Sequence, residues 1–245
     1  ADIAVVLYVS TIFDRWANDQ NPDWRIIRAD GRAASEHQRF GLCCPNSPYR
    51  DYLSALAAEL CHGYALDGIR FDMTFWPTVC YCRHCQARWQ AEVGGALPRV
   101  IDWSDPRWVA FQHKREQWLD EFAALQTTTV KQIKPHVSVE HQASTYTHGW
   151  GLGVDQRLAR QCDFLQGDFY GDALQGSFAR KLFLNLGENQ PSGFETSIGY
   201  ELSNYTTLKS EALLTCKASA ALADSCAFVF IDSIDPTGTL NPAVY

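Results

Sequence analysis

The stretch from Leu66 to Cys85 constrains this chain more than any other: LDGIRFDMTFW, then PTV, then CYCRHC. Its first half reads as a strand that ends in a carboxylate. Ile69, Phe71 and Met73 alternate with Gly68, Arg70 and Asp72, and period-two alternation sends the two sets to opposite faces. The apolar set predicts a face packed on helices. The Gly-Arg-Asp set, followed by Phe75-Trp76, predicts the inner face of a parallel barrel, where catalytic groups gather at the carboxyl ends of strands. Arg70 shares a face with Asp72, and a neighbouring guanidinium favours an ionised carboxylate. That suits a nucleophile or metal ligand better than a general acid. A structural Arg–Asp pair at a strand end is the competing reading.

The second half is a cysteine knuckle. Cys80, Cys82 and Cys85 form C-x-C-x-x-C, a spacing too short for easy disulfide geometry but a start on a tetrahedral zinc site. A fourth ligand is available from Cys43 or Cys44 in GLCCPNSPYR, with Cys44 preferred; His84, lying between ligands, is expected to point away. Cys61, Cys162, Cys216 and Cys226 fall in apolar settings and are read as buried thiols. Nine cysteines is an odd count, which argues against a complete disulfide framework. Four protein ligands leave a zinc ion no open position, so the expected cofactor is structural zinc and none is catalytic. An iron–sulfur cluster is the less favoured alternative.

A chain of 245 residues suffices for one barrel-sized domain, and residues 1–245 are read as one. The net charge of −7, without a basic block, argues against a nucleic-acid partner. No apolar run is long enough for a transmembrane helix, and no signal peptide is visible. A cytoplasmic location is therefore expected, although the chain opens directly on a strand, as if an N-terminal portion were missing. Self-association into a homo-oligomer is left open.

Strands are predicted at Ile3–Thr11, Leu66–Thr74, Val137–Ser144, Phe164–Tyr170, Phe194–Ile198 and Ala227–Ser233. Ser47-Pro48 opens a helix carrying Leu53, Ala57, Leu60 and Tyr64. Asp105-Pro106 opens a long helix that Pro135 follows, and Leu208–Leu222 reads as another. This alternation predicts an α/β fold with a parallel sheet. The choice lies between a doubly wound sheet and a (β/α)8 TIM-type barrel lacking its first two strands. No glycine-rich phosphate loop follows any strand, and Asp72, Glu140, Asp168 and Asp232 each end or nearly end one, which favours the barrel. Tyr8, Ser10, Trp76, His141 and Tyr170 join these acids at the rim, a set able to grip a sugar.

Four segments resemble, in order, the α-L-fucosidase family of glycoside hydrolases. YVSTIFDRW (from Tyr8) is similar to that family's third-strand segment. YRDYLSALAAELCHGYALDGIRFDM resembles its next helix and fourth strand, which ends in the nucleophilic aspartate. GFETSIGYELSNYTTLKSEALL resembles its W-E-T segment and following helix, and VFIDSIDPTGTLNP its closing strand. A local resemblance is sharper: CPNSPYR followed by CYCRHCQARW looks like the zinc-binding segment of the family 42 β-galactosidases, which implies Cys44, Cys80, Cys82 and Cys85 as ligands. There are departures. Family 42 carries Asn-Glu where this chain has Phe71-Asp72, and the tryptophan of W-E-T is Phe194 here.

The resemblance implies a retaining glycosidase acting on a carbohydrate. Asp72 would be the nucleophile. The acid/base would be Asp168, with Glu140 close behind and Asp172 a further candidate. Tyr8, Trp76, His141, Tyr170 and Glu195 would orient the sugar. The alternatives are a β-galactosidase-like enzyme, a non-catalytic carbohydrate-binding barrel, and a zinc-dependent hydrolase, the last disfavoured by the closed cysteine set.

Overall fold

The computed structural model describes residues 3–36, 40–200, 207–232, 237–240 and 242. They form two compact units that divide between Asp163 and Phe164. Each unit is an α/β assembly around a three-stranded parallel sheet.

In the first unit, β1 (Val6–Ser10) leads into a short helix α1 (Arg15–Gln20) and an antiparallel pair, β2 (Ser35–Glu36) and β3 (Phe40–Gly41). Helix α2 (Tyr49–Gly63) returns the chain to β4 (Gly68–Asp72). Helices α3 (Arg83–Glu92) and α4 (Pro106–Ile133) then precede β5 (Ser138–His141), and the sheet order is β1-β4-β5. The predicted strands are thus present but shorter at both ends. In the second unit β6 (Gln166–Asp168), α5 (Ala173–Leu186), β7 (Gly193–Ser197), α6 (Glu211–Ala223) and β8 (Ala227–Ile231) alternate, with sheet order β6-β7-β8. Ser233, predicted to close the last strand, lies outside the described residues. The strand expected over Phe164–Tyr170 is cut to Gln166–Asp168. Asp172 caps α5 by accepting a hydrogen bond from Gln175 N, so residues 169–172 belong to the turn into the helix.

Local chemistry sets the helix boundaries. Asp105 accepts from Arg107 N at 2.8 Å, and Pro106 occupies the first helical position of α4. Helix α2 begins at Tyr49, a residue later than Ser47-Pro48 implied, with Ser47 Oγ accepting from Tyr49 N. Its buried face is Tyr49, Leu53, Ala57 and Cys61, at helical spacing. Tyr64, expected on that face, caps the helix and is exposed. Tyr49 stacks on Phe122 of α4 with ring centroids 6.4 Å apart. Trp76, Trp89, Trp108 and Trp118 are all fully buried around α3 and α4. Each such ring contributes about 1.5–3 kcal/mol by leaving water, so this aromatic layer is the main anchor of the first unit.

The ends of β1 and β4 are unusual. Ile12 and Met73 are not glycines, yet both sit in the left-handed region, with φ of 60° and 61°. Met73 therefore does not continue the alternation of Ile69 and Phe71, as the sequence suggested; the strand stops at Asp72. Such conformations cost about 1–3 kcal/mol each. Surrounding bonds hold them. Thr11 N and Thr11 Oγ1 both donate to Asp72 O, Cys43 N donates to Ile12 O, and Ile12 N donates to Tyr49 Oη at 3.1 Å. Tyr49→Phe keeps the ring and orphans the buried Ile12 amide. The expected loss is about 1–3 kcal/mol of stability, read as a lower urea midpoint with an unchanged slope.

Candidate active site and candidate metal centre

Parallel register brings three polar side chains of the first unit to one face. Tyr8 on β1, Arg70 on β4 and Glu140 on β5 are mutual register partners, and Ser10 pairs with Asp72. Arg70 lies between two acids: NH2 is 3.9 Å from Asp72 Oδ1, and Nε is 3.9 Å from Glu140 Oε1. Tyr8 donates its hydroxyl to Asp72 Oδ2 at 2.5 Å. Arg70, Asp72 and Glu140 are buried, while the Tyr8 ring is largely exposed. Asp72 is thus hydrogen-bonded through Oδ2 and faces a guanidinium with Oδ1, and the cation offsets repulsion between the acids.

His141 does not join this set. It follows Glu140 on the same strand and so faces the other way, stacking on Phe71 with centroids 5.3 Å apart. Its ring nitrogens lie 3.1 Å from Thr74 Oγ1 and Thr127 Oγ1, fastening β5 to α4. Burial pushes its pKa down to about 3. Trp76 is also withdrawn. It is 1% exposed, donates Nε1 to Arg115 O, and takes Leu152 O through its backbone amide. Gly153, at φ 61°, passes so close that a β-carbon there would stand 2.6 Å from the indole. The sugar-orienting roles expected of His141 and Trp76 thus meet buried structural residues, for reasons of strand alternation and loop cover.

In the second unit Asp168, Glu195 and Val229 share a register row. Glu195 is buried and faces away from the neighbouring Phe194, whose ring packs under Arg180. Tyr170 is partly exposed and lies beyond the strand on a cavity wall. Asp172 is the α5 cap, and Asp232 is exposed just past β8.

The cysteines give the second site. The sulfurs of Cys44, Cys80, Cys82 and Cys85 all lie within 4.8 Å of one another, and every one of these residues is buried. Cys44 Sγ is 3.5 Å from both Cys82 Sγ and Cys85 Sγ. These spacings exceed a disulfide bond of about 2.05 Å and fit the edge of a zinc–thiolate tetrahedron, about 3.8 Å for Zn–S near 2.3 Å. Burial pushes the Cys44 and Cys85 thiols well up, while hydrogen bonds from its three partners pull Cys82 far down. A divalent cation bound there would favour the thiolate forms. Asn46 completes the shell: its backbone amide donates to Cys44 Sγ and its Nδ2 to Cys85 Sγ. Arg88 donates to Asn46 Oδ1 and steadies it. Arg115, buried and pulled down to about 10 by desolvation against the pull of Cys85, Tyr81 and Cys80, is the nearby cation.

Cys43 turns away to Asp14 O, and His84 binds Asp23 at 2.8 Å. Cys61 and Cys226 are buried thiols and Cys162 is largely so, but Cys216, expected among them, is exposed. Asn46, Arg88 and Arg115 went unread in the sequence. For Asn46 the signal was its place two residues after Cys44, where an amide meets a thiolate; Arg88 and Arg115 carried none.

The folded His141 refuses a proton that the unfolded chain accepts near the ordinary 6.5. Stability should therefore fall as pH drops from about 6.5 toward 3, with a limiting slope of about 1.4 kcal/mol per pH unit from this group. His141→Gln should lose this share of the dependence, measured as the wild-type-minus-variant difference in urea midpoints across pH 4–7.

No family model and no curated protein matches the sequence. Solved structures do match. The α-L-fucosidase isoenzyme 2 from Paenibacillus thiaminolyticus is similar over 98% of this chain at 19% identity and a TM-score of 0.75. A family 42 β-galactosidase from G. stearothermophilus is similar over 97% at 15% identity and 0.68. The PgaB (BpsB) glycoside hydrolase domain from Bordetella bronchiseptica is similar over 94% at 12% identity and 0.72, with 70% of that chain covered. The present chain spans only 35% of the fucosidase and 42% of the galactosidase. At these identities the likeness is one of fold alone.

Proposed function

We propose that this chain is the greater part of a (β/α)8 barrel belonging to a retaining glycoside hydrolase of α-L-fucosidase-like type. One observation carries the reading. Asp72 ends the central strand β4 with one carboxylate oxygen bonded by Tyr8 and the other facing Arg70. In a fold shared with glycosidases, a fixed, charge-compensated carboxylate suits attack on an anomeric carbon. A second carboxyl group, Asp168 or Glu140, would protonate the leaving oxygen and then activate water. Glu140 has the same guanidinium to exchange charge with. Tyr8, Tyr170 and Glu195 are the remaining candidates for sugar contacts.

The cysteine set fits a structural zinc ion. Cys44, Cys80, Cys82 and Cys85 would hold it, and with all four positions filled it would brace the loop after β4 without taking part in chemistry. The same set supports a second reading, a β-galactosidase-like substrate, because the local resemblance at the cysteines points to family 42. Against it stands Phe71-Asp72 at the end of β4. Comparing aryl α-L-fucosides with aryl β-D-galactosides decides between them.

On the preferred aryl glycoside, Asp72→Asn in the full-length protein should lower turnover by about three orders of magnitude or more with the melting temperature nearly unchanged, since an amide still accepts the Tyr8 hydroxyl. Wild-type turnover in that variant would remove Asp72 as nucleophile. Elemental analysis of the purified protein should find about one zinc per chain. Cys82→Ser should lose that zinc together with several kcal/mol of stability, seen as a lower melting temperature.

A further inference from the structure

Among the described residues of the first unit Arg115 is the most deeply buried cation, 1% exposed in the middle of α4. Its hydrogen bonds go to neutral acceptors: NH1 donates to Gln112 Oε1 at 2.5 Å and NH2 to Gly151 O at 2.7 Å. Nε is buried and bonds nothing among the described residues. Glu116, its neighbour in the chain, is not bonded to it; that carboxylate is taken by Gln112 Nε2, His113 and Arg157. A cation removed from water to this degree needs a compensating charge.

The face of α4 that carries Arg115 looks toward the cysteines. Phe111, one turn earlier, packs on Tyr81 and Trp89 with centroids 6.2 and 5.6 Å apart, and Trp118, one turn later, lies under the Arg88 guanidinium. Tyr81 stands between Cys80 and Cys82, and Arg88 and Trp89 follow Cys85 along α3. Burial pulls the Arg115 pKa down to about 10, and Cys85, Tyr81, Cys80 and Glu116, in that order, pull it back. On its other side the guanidinium lies 5.7 Å from the Trp76 ring, and the loop after β5 is pinned to the same helix: Gln112 Nε2 donates to Trp150 O as Arg115 does to Gly151 O. Trp76 N in turn donates to Leu152 O.

We infer that Arg115 is the counter-cation of the metal centre and ties the occupancy of that centre to the loop over Trp76. The inference rests on the zinc reading above. A divalent ion held by four thiolates is a dianion overall, and it attracts a nearby guanidinium more strongly than four thiols do. Such coupling is reciprocal: the ion steadies the guanidinium that holds Gly151, and the loop that holds the guanidinium strengthens the grip on the ion. Trp76 lies four residues after Asp72, so the metal would brace the turn at the end of β4 although none of its ligands belongs to that turn.

Zinc release from the loaded full-length protein into excess pyridylazoresorcinol reads this coupling without any substrate. Arg115→Met, similar in length and uncharged, should release zinc about tenfold faster, and Arg115→Lys should recover most of the difference. Gly153→Ala leaves the cation and every ligand in place but sets a β-carbon 2.6 Å from the Trp76 ring. It should speed release severalfold, and add little in the Arg115→Met background, because both changes act through one group. It tests the coupling even where Arg115→Met does not fold. Val130→Ala removes buried volume about 22 Å further along α4; it should lower the melting temperature and leave release unchanged. Release from Arg115→Met at the wild-type rate, Arg115→Lys as fast as Arg115→Met, no effect of Gly153→Ala, or Val130→Ala as fast as Arg115→Met would each overturn the inference while leaving zinc on the four cysteines. A protein that takes up no zinc would overturn the zinc reading and this inference together.

Discussion

A guanidinium placed between two buried carboxylates organises the polar face of the first unit's sheet. Removing a charge from water costs several kcal/mol unless a partner compensates it. Arg70 compensates two acids at once, and it can do so only because β4 is the middle strand, with Glu140 in register on one side and Tyr8 on the other. The alternation of β4 then demands that Ile69 and Phe71 face the helices, where both are fully buried. The α2–α4 layer and its tryptophans exist to cover that opposite face. Charge inside and aromatics outside are thus two consequences of one strand's periodicity.

The cysteine cluster and the loop after β5 are joined through a second arginine. Arg115 lies near Cys80 and Cys85, reaches Gly151 O at 2.7 Å, and sits beneath the Trp76 ring. Its own carbonyl receives the Trp76 indole N–H. A single buried cation therefore serves the thiol cluster, the loop over Trp76, and the turn that follows Asp72.

Features governed by local rules were readable before any fold was known. The Gly-Arg-Asp face of β4, the cap of α4 at Asp105 and the C-x-C-x-x-C knuckle each depend on spacing within a few residues, and each appears as the spacing implies. Where the reading failed, the cause was usually a rule applied incompletely. Glu140 and His141 are neighbours on one strand, so both cannot face the same site; alternation alone would have sent His141 to the helices. Tyr170 was extended along a strand that Asp172 ends by capping α5. Other facts lay beyond sequence. That Arg70 would meet Glu140 depends on register between strands far apart in the chain, and the burial of Trp76 depends on a loop arriving from after β5. Helix α5 was passed over although Asp172 caps it and Leu174, Phe178, Leu182 and Leu186 recur at helical spacing.

The left-handed residues Ile12 and Met73 bear on how this region becomes native. Sequence neighbours hold each turn in part, through Phe13 N to Thr11 O and Thr74 Oγ1 to Phe71 O, and residues far along the chain hold the rest. Ile12 is held by Tyr49 and Cys43, and the turn at Met73 leans on Thr11 through Asp72 O. Contacts that close such long loops form after local structure, because chain entropy must be spent first. The carboxylate end of β4 is thus tied to the residue after β1, which α2 in turn holds through Tyr49. In exchange experiments the amides of Thr11 and Ile12 would open with the whole unit, not by fraying of β1, so the backbone under Asp72 has the lifetime of the core and not of a surface loop.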